Sequence, residues 1–247
     1  MSSSARYAIY YAPQPHSALG RFGASWLGRD ADDGHSVCRP QVVGISKDEL
    51  DACTEEPRRY GFHATLKAPF RLATGKSEYQ LIERIKAFSD SHQPFTIPTL
   101  MLADLAGFIA LVPARHAPAL HALADAAVRN FDDFRAPLTA TEQERRQPAR
   151  LNERQRELLS IWGYPYVMDE YRFHMTLTDK LGNSRRAMLM AKLLPLVAPL
   201  IGEPLVIDAI TLFVQPGANT PFMVAGRFPF RKFSRHETAS APKAGSD

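Results

Sequence analysis

Tyr60-Gly61-Phe62-His63-Ala64-Thr65-Leu66 recurs as Tyr171-Arg172-Phe173-His174-Met175-Thr176-Leu177, with Tyr, Phe, His, Thr and Leu in the same places. Both copies alternate polar and apolar residues, the pattern of a half-buried strand. Strand side chains point to opposite faces in turn, so His63 and Thr65 share one face while Phe62, Ala64 and Leu66 take the other. His174 and Thr176 are set in the same way against Phe173, Met175 and Leu177. Two strands that each present an imidazole and a hydroxyl from an apolar backing point to a site assembled from two related halves.

The flanking sequence repeats as well. Residues 6–12 read as a strand stopped by Pro13 and Pro15, and 17–28 as a helix with Leu19, Phe22, Trp26 and Leu27 on one stripe. The first motif strand is expected over about 58–70. Ser77 with Gln80 forms a capping-box signature that opens a helix to about Ser91. A hairpin at 95–104 and 107–113 and a helix at 115–129 complete the first half. The second half has its motif strand at 169–180, a helix capped by Asn183 or Ser184 to about Leu194, and a hairpin at 205–214 and 221–229. Strand, helix and hairpin follow each His-x-Thr, as an internal duplication would arrange them. Residues 131–165 have no counterpart; they read as a connector or insertion, with a helix at 151–161, placed to act as a lid. The Ser, Ala, Lys and Gly composition of 235–247 predicts a disordered tail.

Bulk properties exclude several classes. The chain has 247 residues, 45% hydrophobic and 23% charged, the composition of a soluble globular protein, and it could bury a substantial core as one large domain or as two small lobes. A net charge of +4 suits an anionic small molecule but is scattered over Arg58, Arg59, Arg71, Arg145, Arg146, Arg150, Arg185, Arg186 and Arg231–Lys232. No continuous basic track for nucleic acid results. Cys38 and Cys53 are the only cysteines, which gives no disulfide framework and suits a reducing compartment. Residues 1–6 lack the apolar core of a signal peptide and no run approaches a membrane span, so a cytoplasmic location is expected.

Two histidines on one cleft can split a phosphodiester without a metal. An ordinary imidazole pKa of about 6.5 lets one ring stay neutral and take a proton from water while the other, charged, protonates the departing oxygen. The hydroxyls of Thr65 and Thr176 can donate to the non-bridging phosphoryl oxygens as charge builds there. Strand parity adds Arg59, Gly61 and Lys67 to the first motif's cleft face and Glu170, Arg172 and Thr178 to the second's. Lys67 and Arg172 are therefore candidate substrate-binding cations. His16, His35, His92, His116 and His121 lie in loop or helix contexts and offer no third ligand at metal-like spacing, so neither a metal nor another cofactor is expected. There is no Gly-x-Ser-x-Gly, no Walker loop and no Rossmann glycine pattern.

His63-Ala-Thr65-Leu66 and His174-Met-Thr176-Leu177, in a duplicated α+β chain, resemble the 2H phosphoesterase superfamily of LigT-like enzymes over about residues 6–230. Tyr60-Gly-Phe-His-Ala-Thr-Leu-Lys67, Phe134-Arg-Ala-Pro-Leu138 and Trp162-Gly-Tyr-Pro-Tyr166 further resemble a bacterial branch associated with phosphonate-degradation operons. The resemblance implies two pseudo-symmetric ferredoxin-like lobes about a central cleft. It also implies metal-independent cleavage of cyclic or 2′,5′-type phosphodiesters, with His63 and His174 as the acid/base pair and Thr65 and Thr176 as phosphate anchors.

The expected organisation is one bilobal domain over 1–234, its halves about 1–130 and 166–234. The expected activity is hydrolysis of a small cyclic phosphodiester of a sugar or nucleotide-like phosphate, as in phosphonate metabolism. Two other readings stay open: an enzyme acting on RNA 2′,3′-cyclic phosphate ends or 2′,5′ linkages, and a nucleotide-binding module without turnover. Near-equivalence of the two motifs leaves open which histidine is the base.

Overall fold

A computed structural model describes residues 5–146 and 151–231. The predicted tail at 235–247, with Arg150 and Lys232, lies outside the described residues.

The first half gives β1 (Arg6–Tyr11), α1 (Ala18–Leu27), α2 (Lys47–Ala52), α3 (Glu55–Tyr60), β2 (Ala64–Phe70) and α4 (Glu78–Asp90). Then come β3 (Phe95–Ile97), β4 (Leu100–Leu105), β5 (Phe108–Pro113) and α5 (Pro118–Asn130). The connector supplies α6 (Ala140–Arg146) and α7 (Glu153–Trp162). The second half follows with β6 (Met175–Thr176), α8 (Asn183–Ile201), β7 (Leu205–Ile207), β8 (Ala209–Gln215) and β9 (Met223–Pro229).

Local signals explain most boundaries. Ser17 caps α1 through a hydrogen bond from Gly20 N, and Gly28 ends it with φ 71°. Ser77 and Gln80 form the reciprocal capping box expected of them. Asn152 and Gln155 form another at α7, which stops at Gly163. Ala106 and Gly107, both with positive φ, make the tight turn between β4 and β5. Three boundaries depart from expectation. Residues 55–60 are helical, so the first motif strand starts at Ala64 rather than 58, and the second shrinks to two residues after a 3-10 turn at Met168–Glu170. Helix α8 also continues past Pro195 and Pro199 to Ile201. An interior proline costs ~3 kcal/mol, and burial of Val197, with Leu196, Leu200 and Ile201 packed behind it, offsets that cost.

Seven strands form one antiparallel sheet in the order β4-β5-β6-β2-β1-β8-β9, while β3 and β7 pair apart from it. The motif strands lie side by side at the middle: β2 is followed outward by β1, β8 and β9, β6 by β5 and β4. The wings are not the two sequence halves, however. The second half's β8–β9 hairpin extends the wing of the first motif, and the first half's β4–β5 hairpin extends the wing of the second. Two pseudo-symmetric ferredoxin-like lobes about a central cleft were expected; the wings meet in one continuous sheet at Ala64↔Met175.

Helices α4, α5 and α8 cover one face, where Leu81, Ile85, Leu123, Leu189 and Leu193 pack on Ile9, Leu66, Met175 and Leu212. Ala8, Tyr10, Phe213 and Phe222 make a smaller cluster on the other face. Leu158 and Val167 of the connector pack against Val128 of α5. Among the described residues no helix is long and apolar enough to cross a membrane.

Candidate active site

The site begins with the register of the central strands. Ala64 lies opposite Met175 in an antiparallel pair. Each step along one strand is a step back along the other, so Thr65 faces His174 and His63 faces Thr176. Residues directly opposite share a sheet face, with Cβ atoms about 4.5–5.5 Å apart. All four side chains therefore lie on the face opposite the α4–α5–α8 layer. The apolar residues between them, Ala64 and Met175, are wholly buried beneath.

Both imidazoles are anchored alike. His63 Nδ1 lies 2.9 Å from the Gly61 carbonyl, and His174 Nδ1 lies 2.7 Å from the Arg172 carbonyl. A carbonyl can only accept, so each ring carries its proton on Nδ1 and presents Nε2 to the site. His63 Nε2 is 3.3 Å from the Thr65 hydroxyl. Gly61 reaches its position with φ 82°, and a Cβ there would fall 2.7 Å from that of Ala31, so no larger residue suits this carbonyl's mooring. Tyr10 stacks on the His63 ring at 3.7 Å between centroids, and Phe108 of β5 lies 5.7 Å from that of His174. The Thr176 hydroxyl makes no hydrogen bond among the described residues.

Burial depresses both histidines. His63 falls to about 4, chiefly by desolvation and further by the nearby His174, against the opposing pull of the Gly61 carbonyl. His174 is lowered by the same desolvation, opposed by the Arg172 carbonyl. Burial thus favours the neutral form of both rings in the free protein. A bound anion would favour the imidazolium form and supply the missing proton affinity. The expected result is a kcat/KM profile with its maximum below pH 6.5, falling as pH rises and the acid loses its proton. The kcat profile of the bound state should be displaced to higher pH. Steady-state rates across pH 4–9 check both statements.

Beside the pair lies a cavity of about 470 Å³, lined by Thr65, Phe108, Tyr164, Tyr166, Arg172, His174 and Lys180 among others. His63 is not on its wall; it adjoins the cavity through the Thr65 hydroxyl. Arg172 is where the sequence placed it, exposed at the cavity with a guanidinium that makes no ion pair among the described residues.

Lys67 is not at the site. Tyr10 pairs with Thr65 but Ile9 with Lys67, so Leu66 is an extra residue in β2. This bulge breaks the alternation that put Lys67 on the cleft face. The lysine is buried instead, with Nζ 3.0 Å from the Val128 carbonyl and 2.9 Å from Asp132 Oδ1. Arg59 belongs to α3 rather than to a strand, and the Thr178 hydroxyl is spent on the Ile109 amide and the Asp179 carbonyl. Among the scattered arginines, Arg58, Arg71, Arg185 and Arg186 pair with Asp51, Glu142, Glu49 and Asp104. Sequence reasoning missed Tyr10, Phe108, Tyr164, Tyr166 and Lys180 as site residues. Tyr164 and Tyr166 had a signal in the Trp162–Tyr166 run, which lies in the connector and brings it over the site. Among the described residues no three His, Cys, Asp or Glu side chains come together as a metal would require.

Two curated relatives carry the name ribose 1,5-bisphosphate phosphokinase PhnN. One, from Janthinobacterium sp. (strain Marseille), is 38% identical over 98% of this chain and 54% of its own length. The other, from Laribacter hongkongensis (strain HLHK9), is 36% identical over 88% of this chain and 50% of its own. The chain thus spans about half the length of the curated relatives it matches. A family model described as protein of unknown function DUF1045 matches residues 65–223, a stretch that takes in Thr65, His174 and Thr176 and begins just past His63. By that match over most of its length, the chain belongs to the DUF1045 family.

Proposed function

We propose that this chain hydrolyses a small cyclic phosphodiester of a ribose phosphate by acid/base catalysis between His63 and His174, as the 2H phosphoesterase resemblance implies. The observation that supports it most is the Ala64↔Met175 register, which sets two imidazole Nε2 atoms and two threonine hydroxyls on one face beside a cavity. One neutral imidazole takes a proton from water as its oxygen attacks phosphorus. The P–O bond to the ring oxygen breaks, and the other imidazole, protonated on substrate binding, gives its proton to that oxygen. Thr65 and Thr176 donate to the non-bridging oxygens, and Arg172 adds a cation from the cavity wall. In-line displacement needs acid and base on opposite sides of phosphorus, a requirement that the pseudo-two-fold relation of the motifs supports.

The relatives' name supplies a substrate class. Opening a cyclic diester across O1 and O2 of ribose 5-phosphate, with the O2–P bond broken, leaves ribose 1,5-bisphosphate. This reading makes the chain the supplier of what the relatives are named for phosphorylating, in keeping with a phosphonate-degradation setting. The name itself favours a second reading, a kinase. Against it, the chain has Gly75-Lys76-Ser77 but Phe70 where a Walker loop's first glycine would stand, and Ser77 is the N-cap of α4. We assign the kinase chemistry to the part of those relatives that this chain does not match.

Turnover of a ribose cyclic phosphate should persist with excess chelator and without ATP, because the stabilising charges come from protein donors. Activity that vanished with chelator and returned with zinc or manganese would recast the histidines as ligands, and ATP-dependent phosphorylation of a ribose phosphate would favour the kinase. Thr65→Val and Thr176→Val keep shape and strand preference while deleting one hydroxyl. Each should lower kcat by roughly 10–10³-fold, scaled from single oxyanion donors, with the fold intact by circular dichroism.

A further inference from the structure

Among the described residues, Arg6, Arg59 and Arg146 make no ion pair with a carboxylate. Arg6 gives Nε to the Gln215 side chain at 2.6 Å and lies over the Phe222 ring at 5.4 Å. Arg59 donates to the Ala218 carbonyl, and its Nε is buried with no acceptor. Arg146, from the connector, donates to the Gly163 carbonyl and to that of Pro69 (2.8 Å), and lies over the Tyr164 ring at 5.7 Å. Gln215 ties Arg6 and Arg59 together, because its amide also reaches the Ala218 and Thr220 carbonyls. Arg6 and Arg146 stand near enough to repel one another.

The group adjoins the reacting pair. Phe222, beneath Arg6, stacks on Tyr60 at 5.1 Å, and Tyr60 lies 6.2 Å from the His63 ring. Charged groups held by neutral carbonyls and amides, with an orphan donor among them, are costly to keep together unless an anion completes them. Guanidinium forks suit phosphate oxygens.

We propose that Arg6, Arg59 and Arg146 form a second anion site, reached from His63 through the Tyr60 and Phe222 rings, that takes a phosphomonoester carried by the substrate away from the bond being cut. The assignment rests on the phosphodiesterase reading above and narrows it: the preferred substrate has two phosphates, one cyclic and one terminal. The site recognises a phosphate anion, borne either by a small sugar or by a neighbouring nucleotide of an RNA end.

The test compares kcat/KM for a ribose cyclic phosphate with and without a 5-phosphate, and for a short oligoribonucleotide ending in a 2′,3′-cyclic phosphate. Wild-type protein should prefer the 5-phosphorylated sugar. In Arg59→Gln and Arg146→Gln that preference should shrink by roughly 10–100-fold, the worth of a hydrogen bond to a charged group, and Arg146→Lys should restore part of it. A higher rate on the RNA end, lost in the same variants, would assign the site to a backbone phosphate. Equal losses on both sugars, or no wild-type preference, would overturn the proposal while leaving the phosphodiesterase reading intact. Calorimetry with ribose 5-phosphate gives a readout without turnover. Binding that is present in wild type and lost in Arg6→Gln/Arg59→Gln would uphold the anion site even if no cyclic ester were hydrolysed. Unaltered binding would end it.

Discussion

Replacing either His63 or His174 by alanine should lower turnover of a cyclic phosphodiester by roughly 10²–10⁴-fold, the usual worth of one positioned acid or base. The two losses should be of similar size, because both rings are moored by the carbonyl two residues earlier and both present Nε2. The double variant should fall well short of the product of the single losses, since acid and base act on one transition state. Neither substitution should unfold the protein, for the apolar work of each strand is done on the opposite face by Ala64, Leu66, Met175 and Leu177. Rapid-quench or coupled phosphate assays measure the rates. A folded variant at either position with near-normal turnover would sink the two-histidine mechanism.

The second large effect is on stability. Asp132→Ala should destabilise the fold by about 3 kcal/mol, because removing one partner of a buried pair strands the other. The Lys67 ammonium, its side chain 4% exposed, would keep only the Val128 carbonyl. The figure is at the low end of the usual range because Asp132 is itself a quarter exposed. In a chain of this size that corresponds to a fall in Tm of roughly 6–12 °C. Lys67→Met, which fills the same space without a charge, should be much milder. It should also leave turnover near wild type, where a substrate-binding lysine would not. Thermal scans of the two variants, with rates for Lys67→Met, decide between the roles.

How much could be read from the sequence follows from the range of the interactions involved. Caps and turns are local, so Ser17, Ser77 with Gln80, Gly163 and the Ala106-Gly107 turn could be read within a few residues. The His-x-Thr repeat gave the four central side chains because alternation holds over three residues. It failed over five. Lys67 left the cleft face at a bulge whose cause is the pairing with β1, which nothing near Leu66 announces. Tyr10 and Phe108 were hidden for a related reason: each reaches a histidine only through strand order. The exchange of hairpins between the wings is likewise encoded by no local pattern.

That exchange governs how the chain comes to fold. Tyr10 of β1 finds Thr211 of β8 only after about 200 further residues have been made, and synthesis proceeds at roughly 5–20 residues per second. From the end of β2 at Phe70 until Thr211 is made, roughly 7–28 seconds at that rate, the nascent β1–β2 ribbon holds an open edge, with Ala8 and Tyr10 uncovered on one side. The first half can close its α4 and α5 helices early, but its sheet waits for the last hairpin. Completion of the sheet is therefore expected to wait for the β8–β9 hairpin and to be rate-limited by distant pairing. A fragment ending near residue 130 should aggregate through that edge rather than persist as a stable half.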